Sequence, residues 1–140
     1  MRNQSEVALR TAIGKLRRAH QDGRWRAFHL YPGLSDEWVA AYVGCAMVEA
    51  HEAGLAGAGD ARDLAEETWR SIASAQRPDG RWGFNGLAIG DGDSTMWAIR
   101  LARALGEVPG LNAVRVLAEH QRPDGSLSTY AAEEPIRSII

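Results

Sequence analysis

Apolar positions along the chain recur at helical rather than alternating intervals. Residues 5–19 place Val7, Ala8, Ala12, Ile13 and Leu16 on one helix face, with charged residues opposite. Residues 61–75 repeat the pattern with Leu64, Ala65, Thr68, Trp69 and Ile72. Asp60, which follows the glycine-rich link GLAGAG, is the predicted N-cap of that helix. A shorter segment, 111–120, carries Ala113, Val114, Leu117 and Ala118. Two other segments differ in kind. Residues 36–53, DEWVAAYVGCAMVEAHEA, have almost no charge before Glu49, and residues 94–105, STMWAIRLARAL, end at Gly106, a predicted C′ position. Their small apolar residues suit helices packed on several sides. No run alternates apolar and polar residues over a useful length, so no strand is predicted. The pattern predicts an all-α chain in which half-polar outer helices alternate with apolar inner ones.

The chain also repeats itself. The texts AHQDGRWRAF, AQRPDGRWGF and HQRPDGSLSTY each centre on an Asp-Gly pair, and Gly23, Gly80 and Gly125 lie 57 and 45 residues apart. Periods of this size belong to helical-hairpin arrays. Ser35–Trp38 aligns with Ser94–Trp97 at the start of each inner helix. Residues 1–140 therefore form one α/α repeat domain of between two and three hairpins, with a third inner helix beginning after Tyr130 and interrupted by Pro135. Within the turns, Pro78 and Pro123 close the preceding helix, and the Asp-Gly pairs supply turn chemistry. Gln76 and Gln121 are placed to hydrogen-bond backbone groups at a neighbouring helix end, and Trp82 to cover that amide.

Composition narrows the function classes. The 140 residues are 45% hydrophobic and 24% charged, which fits a globular domain with a core. Sixteen basic and eighteen acidic residues give a net charge of −2, interspersed along the chain, which argues against a nucleic-acid clamp or polybasic membrane anchor. One cysteine, Cys45, excludes an internal disulfide framework and a cysteine-based metal cluster; among Val43, Ala46 and Val48 it reads as a small core residue. There is no run of about 18 apolar residues to span a membrane. The N-terminal text MRNQSEVALRTAIGKLRR lacks the apolar core of a secretion signal, so a cytoplasmic location is expected. His20, His29, His51 and His120 have no metal-ligand spacing and read as structural or surface groups. On residue type alone Trp25, Trp38, Trp69, Trp82 and Trp97 read as core, Glu133–Glu134 as a solvated pair, and RWRAFHLYPG as the mouth of a pocket.

The text QRPDGRW resembles the Q-x-x-D-G-x-W turn of the prenyltransferase/squalene-oxidase repeat superfamily, which includes squalene–hopene cyclases and class II diterpene cyclases. The second copy is complete, the third has Leu127 at the Trp position, and the first places Gln21 directly before Asp22. The resemblance implies that the hairpins form part of an α/α toroid. It also gives meaning to residues 90–95, GDGDST, which resemble the D-x-D-D-T segment of class II terpene cyclases. By that resemblance Asp93 is the acid that protonates an alkene or epoxide, and Asp91 is its flanking carboxylate. Ser94 stands where the family has a further Asp, and Thr95 matches the following Thr. Trp97, Trp38 and Tyr42 would offer π faces to a cation and, with Ser94 and Thr95, contact the substrate. Such chemistry needs an acid kept protonated at neutral pH, which burial and a nearby carboxylate favour. It needs no metal and no organic cofactor. Judged on residue chemistry alone, without the resemblance, Asp93 reads as an ordinary helix N-cap.

The function implied is a cyclase-like protein (an isomerase or lyase) acting on a hydrophobic isoprenoid or related natural-product intermediate. The alternative is a non-catalytic lipid- or terpenoid-binding or partner-docking module of the same fold. A protein-prenyltransferase role lacks its Asp/Cys/His zinc site, and a glycosidase role lacks a second placed carboxylate. This short array would leave apolar inner helices facing solvent, and exposed apolar surface of that kind marks an interface. A homodimer, or pairing with another toroid half, is therefore expected to complete the chamber.

Overall fold

In the computed structural model, residues 3–131 are described. The expected third inner helix, Pro135 and the Glu133–Glu134 pair lie outside the described residues. The chain is mostly helical, in the order α1 (Gln4–Ala19), β1 (Ala27–Leu30), β2 (Gly33–Ser35), α2 (Trp38–Glu52), α3 (Ala61–Ala73), β3 (Trp82–Gly83), β4 (Gly90–Asp91), α4 (Gly92–Ala104) and α5 (Leu111–Ala118). All five predicted helical segments are present. The expectation of no strand is corrected: β1–β2 and β3–β4 are two antiparallel hairpins at the entrances of the inner helices. Their strands, two to four residues long, are too short for alternation to register.

The apolar sequence of α2 is explained by its position between α3 and α4. Val39, Ala40, Ala41, Cys45, Met47 and Val48 are all buried. Close approach is built in at Gly44, where an added Cβ would lie 3.0 Å from both terminal methyls of Leu101. One core cluster joins α2 to Trp69, Ile72, Trp82 and Leu101; a second joins Met47 to Ile13, Trp25, Ala58 and Ala61. The solvent-facing part of α2 is narrower than expected, limited to Tyr42, Ala46, Glu49 and Glu52.

The Asp-Gly turns act as staples. Asp79 Oδ1 accepts the Arg81 amide at 2.9 Å, and Gly80 takes φ 94° against the start of α5. The buried Trp82 indole donates to the carbonyl of Ile72 at 2.6 Å, and Trp25 donates likewise to Leu16 at 2.7 Å. Gln76 donates to the carbonyls of Gly80 and Pro109, tying the turn to the approach of α5. The end of α4 is closed by a Schellman arrangement: the Glu107 amide donates to Ala102 at 2.8 Å and the Gly106 amide to Arg103 at 3.1 Å.

Three local expectations need correction. Of the apolar face expected on α1, only Ile13 is buried, while Val7, Ala8 and Ala12 are exposed. Asp60 precedes α3, but its side chain makes no cap bond, because Arg17 binds that carboxylate bidentately. In α5 the buried positions are Ala113 and Val116, with Val114 57% exposed. An eight-residue helix spans barely two turns, too few for spacing to fix its face.

Candidate active site

The GDGDST segment ends β4 and starts α4, and it gives its two carboxylates opposite environments. Asp91 is the N-cap: Oδ1 accepts the Ser94 amide at 2.7 Å and Oδ2 accepts the Ser94 hydroxyl at 2.8 Å. Burial pushes the Asp91 carboxyl above its ordinary value; the Ser94 bonds oppose this, and the nearby Asp93 charge adds to it. Thr95 is fully buried, donating to the Asp91 carbonyl at 2.6 Å and accepting the Trp82 amide at 3.1 Å. Ser94 and Thr95 thus hold the helix start in place. Asp93, one position further around the turn, points outward and is exposed. Its Oδ2 accepts the Trp38 indole N–H at 2.8 Å, not an amide of its own helix.

Asp93 lies on the rim of a cleft of about 260 Å³. Its lining includes the aromatic rings of Phe28, Trp38, Phe84 and Tyr130 and the buried Asp91 and Ser94. Phe28 meets Trp38 edge-on at 5.8 Å and Phe84 at 5.7 Å. Aromatic surface continues along the α2–α4 face: Trp38 stacks on Tyr42 at 5.5 Å, and Tyr42 meets Trp97 edge-on at 4.7 Å. The Arg100 guanidinium lies over Trp97, 4.5 Å from the ring centre. Of the sequence-predicted site residues, Asp91, Asp93, Ser94 and Trp38 share the cleft. Tyr42 and Trp97 line an adjoining depression with Cys45 and Arg100. The Cys45 thiol is pushed up to about 11 by burial, which keeps it protonated and inert at neutral pH.

The residues that build the cleft from behind carry no local sequence signal. Glu37 is buried and accepts both the Arg77 guanidinium at 2.8 Å and the Gly83 amide at 2.9 Å. Arg77 also donates to the carbonyls of Asn85 and Ala88, each at 2.7 Å. Asn85 in turn donates to Pro32 and Leu34, each at 3.0 Å, which ties the β1–β2 hairpin to the Phe84 loop. Beneath Asp91, Gly92 admits His120 and residue 128: an added Cβ would lie 2.9 Å from His120 Nδ1 and 2.8 Å from the Ser128 carbonyl. Arg81 can only donate, so His120 Nε2 is the acceptor of that 3.1 Å bond and Nδ1–H donates to Ser128. Among the other histidines, His20 packs on Trp25 and His51 bonds the Ala58 carbonyl, both away from the cleft.

No protein-family profile matches the chain, and no curated protein matches it by sequence. Solved structures do match. The type II terpene cyclase MstE from Scytonema, in its apo form, superposes with TM-score 0.76 and 31% identity over 96% of this chain and 39% of that one. A variant of MstE in complex with its substrate, geranylgeranyl dihydroxybenzoate, gives TM-score 0.77 and 32% identity over 97% of this chain and 38% of that one. A protein from Actinoplanes gives TM-score 0.72 and 34% identity over 90% and 36%. The chain thus spans about two fifths of the length of these proteins and has a class II terpene cyclase-like fold. Among the described residues, no helix is long and apolar enough to cross a membrane.

Proposed function

We propose that this chain supplies the acid-bearing part of a class II terpene cyclase, with Asp93 as proton donor to a terminal alkene or epoxide of a hydrophobic isoprenoid. The observation that carries the reading is the Asp93 carboxyl on the rim of an aromatic cleft, within a fold shared with MstE. On an alkene the proton of the acid forms a new C–H bond at the terminus, using the π electrons, and leaves a tertiary cation; on an epoxide it goes to the ring oxygen as a C–O bond breaks, leaving a hydroxyl and a tertiary cation. Each following alkene attacks the cation in turn, and the last cation loses a proton. Asp93 regains its proton from solvent, so the sequence is a net isomerisation without a cofactor. Trp38 has two roles: its indole N–H holds Oδ2, leaving Oδ1 to carry the proton, and its ring offers a π face to the cation. Asp91 fixes the start of α4 and so the direction in which Asp93 points.

Burial favours the neutral form of a carboxyl, so this reaction needs the open cleft to be covered. A second toroid half, most simply another copy of the chain, is the proposed cover. Light scattering during size-exclusion chromatography should then report about twice 15.2 kDa, and a stable monomer would remove the self-pairing. The openness of the cleft in one chain favours a second reading, a non-catalytic isoprenoid-binding module. The deciding experiment incubates the protein with linear prenyl diphosphates, squalene and prenylated dihydroxybenzoates. The cyclase reading predicts cyclised product from the wild type and none from Asp93→Asn. Equal product from both removes Asp93 from the acid role, and bound but unconverted lipid supports the binding module.

A further inference from the structure

One residue of the cleft sits where its chemistry gives it no reason to be. Phe28 has φ +28°, a left-handed backbone conformation that a bulky side chain adopts only under constraint. It is the extra residue of a β-bulge: Ala27 pairs with Ser35 and His29 with Leu34, so two steps on β1 oppose one on β2. The ring is also half exposed, so core packing does not explain its position. Phe28 lines the Asp93 cleft together with Leu30 and Phe84. The hairpin that carries it is held by the side-chain amide of Asn85, itself buried, which donates to Pro32 and Leu34. The amides of Asp36 and Glu37 bond the Phe84 carbonyl at 3.2 and 3.3 Å, fixing the other side of the same wall. A strained residue on an anchored hairpin is a built feature.

We propose that the Ala27–Ser35 hairpin is a substrate wall, and that Phe28 is a specificity-determining residue that selects a branched alkenyl terminus for the Asp93 cleft. Phe28, Phe84 and Leu30 present only carbon surface, and Trp38 commits its single N–H to Asp93. Two aromatic rings and a branched aliphatic side chain offer the geminal methyl groups of an isoprenoid end contacts on more sides than they offer a linear alkyl end. The inference deepens the isoprenoid reading above and concerns binding alone, so it does not depend on proton transfer.

The test uses the whole chain carrying Asp93→Asn, which blocks turnover, and isothermal titration with farnesol and with 1-dodecanol. We expect farnesol to bind about tenfold tighter, a ratio that the lost aromatic contacts of Phe28→Ala bring close to one. Phe28→Gly should abolish the preference in the same way, yet melt at a higher temperature than Phe28→Ala, because glycine accepts the positive φ. Val114→Ala, at an exposed position of α5 that does not line the cleft, should leave the ratio unchanged. An unchanged farnesol preference in folded Phe28→Ala, no preference in the parent protein, or a Phe28→Gly protein less stable than Phe28→Ala would each overturn the proposal. Failure of the acid reading looks different: Asp93→Asn would keep making product while the farnesol preference stayed intact.

Discussion

Removing the Glu37 carboxylate tests how the cleft is held together. Its side chain is 2% exposed and that of its partner Arg77 is 19% exposed, so the pair is largely out of water. Taking one partner from a buried ion pair costs about 3–5 kcal/mol, mostly by stranding the other charge. Arg77 keeps two carbonyl acceptors, on Asn85 and Ala88, and some access to water, so the lower end applies, about 3 kcal/mol. Glu37 precedes α2 but makes no side-chain cap bond, so loss of a cap does not add to the effect. For a chain of this size that energy corresponds to a fall in melting temperature of about 10 °C. Glu37→Gln retains an acceptor for the Gly83 amide but loses the charge, and should fall about half as far. Thermal unfolding followed by circular dichroism measures both variants. A Glu37→Ala protein melting within about 2 °C of the wild type would refute the claim that this pair organises the Phe84 loop.

Two further predictions follow from the same geometry. The Asp91 carboxyl is raised in the folded state, so folding takes up protons between its ordinary value of 3.8 and the raised one, and its contribution to stability declines as pH rises through that window. The melting-temperature advantage of wild type over Asp91→Asn should therefore shrink from pH 4 towards neutrality; an advantage that grows over this range would contradict the assignment. Trp82→Phe keeps most of the ring but removes the indole bond to the Ile72 carbonyl, which retains the Ala75 amide, and should cost about 1 kcal/mol in urea unfolding. Trp25→Phe removes the matching bond to the Leu16 carbonyl, which retains the His20 amide, and should cost a similar amount; a neutral effect at both sites would dismiss the indole staples.

The outer and inner helices are legible in the sequence because burial on one side or on several leaves different apolar patterns. The turns are legible because Asp-Gly at positive φ has a local chemistry. What escapes is long-range. Glu37 lies 40 residues from Arg77, and nothing near either of them announces a buried partner. Arg17 and Asp60 are the same case in reverse, a local cap signal overridden by a charge 43 residues away. In GDGDST the sequence places two carboxylates side by side. Only the backbone separates them, turning Asp91 inward to its own helix and Asp93 outward to Trp38. RWRAFHLYPG is legible as a pocket mouth, but the bulge at Phe28 has no glycine to mark it.

The claim on which the account rests is that the Asp93 carboxyl delivers the initiating proton, which on an alkene substrate ends up on carbon. Turnover in deuterium oxide reads this directly by mass spectrometry and NMR of the product. The account predicts one deuterium at the former terminal alkene carbon with the wild type and no labelled product with Asp93→Asn. Cyclised product without that deuterium, or the same labelled product from Asp93→Asn, would contradict it.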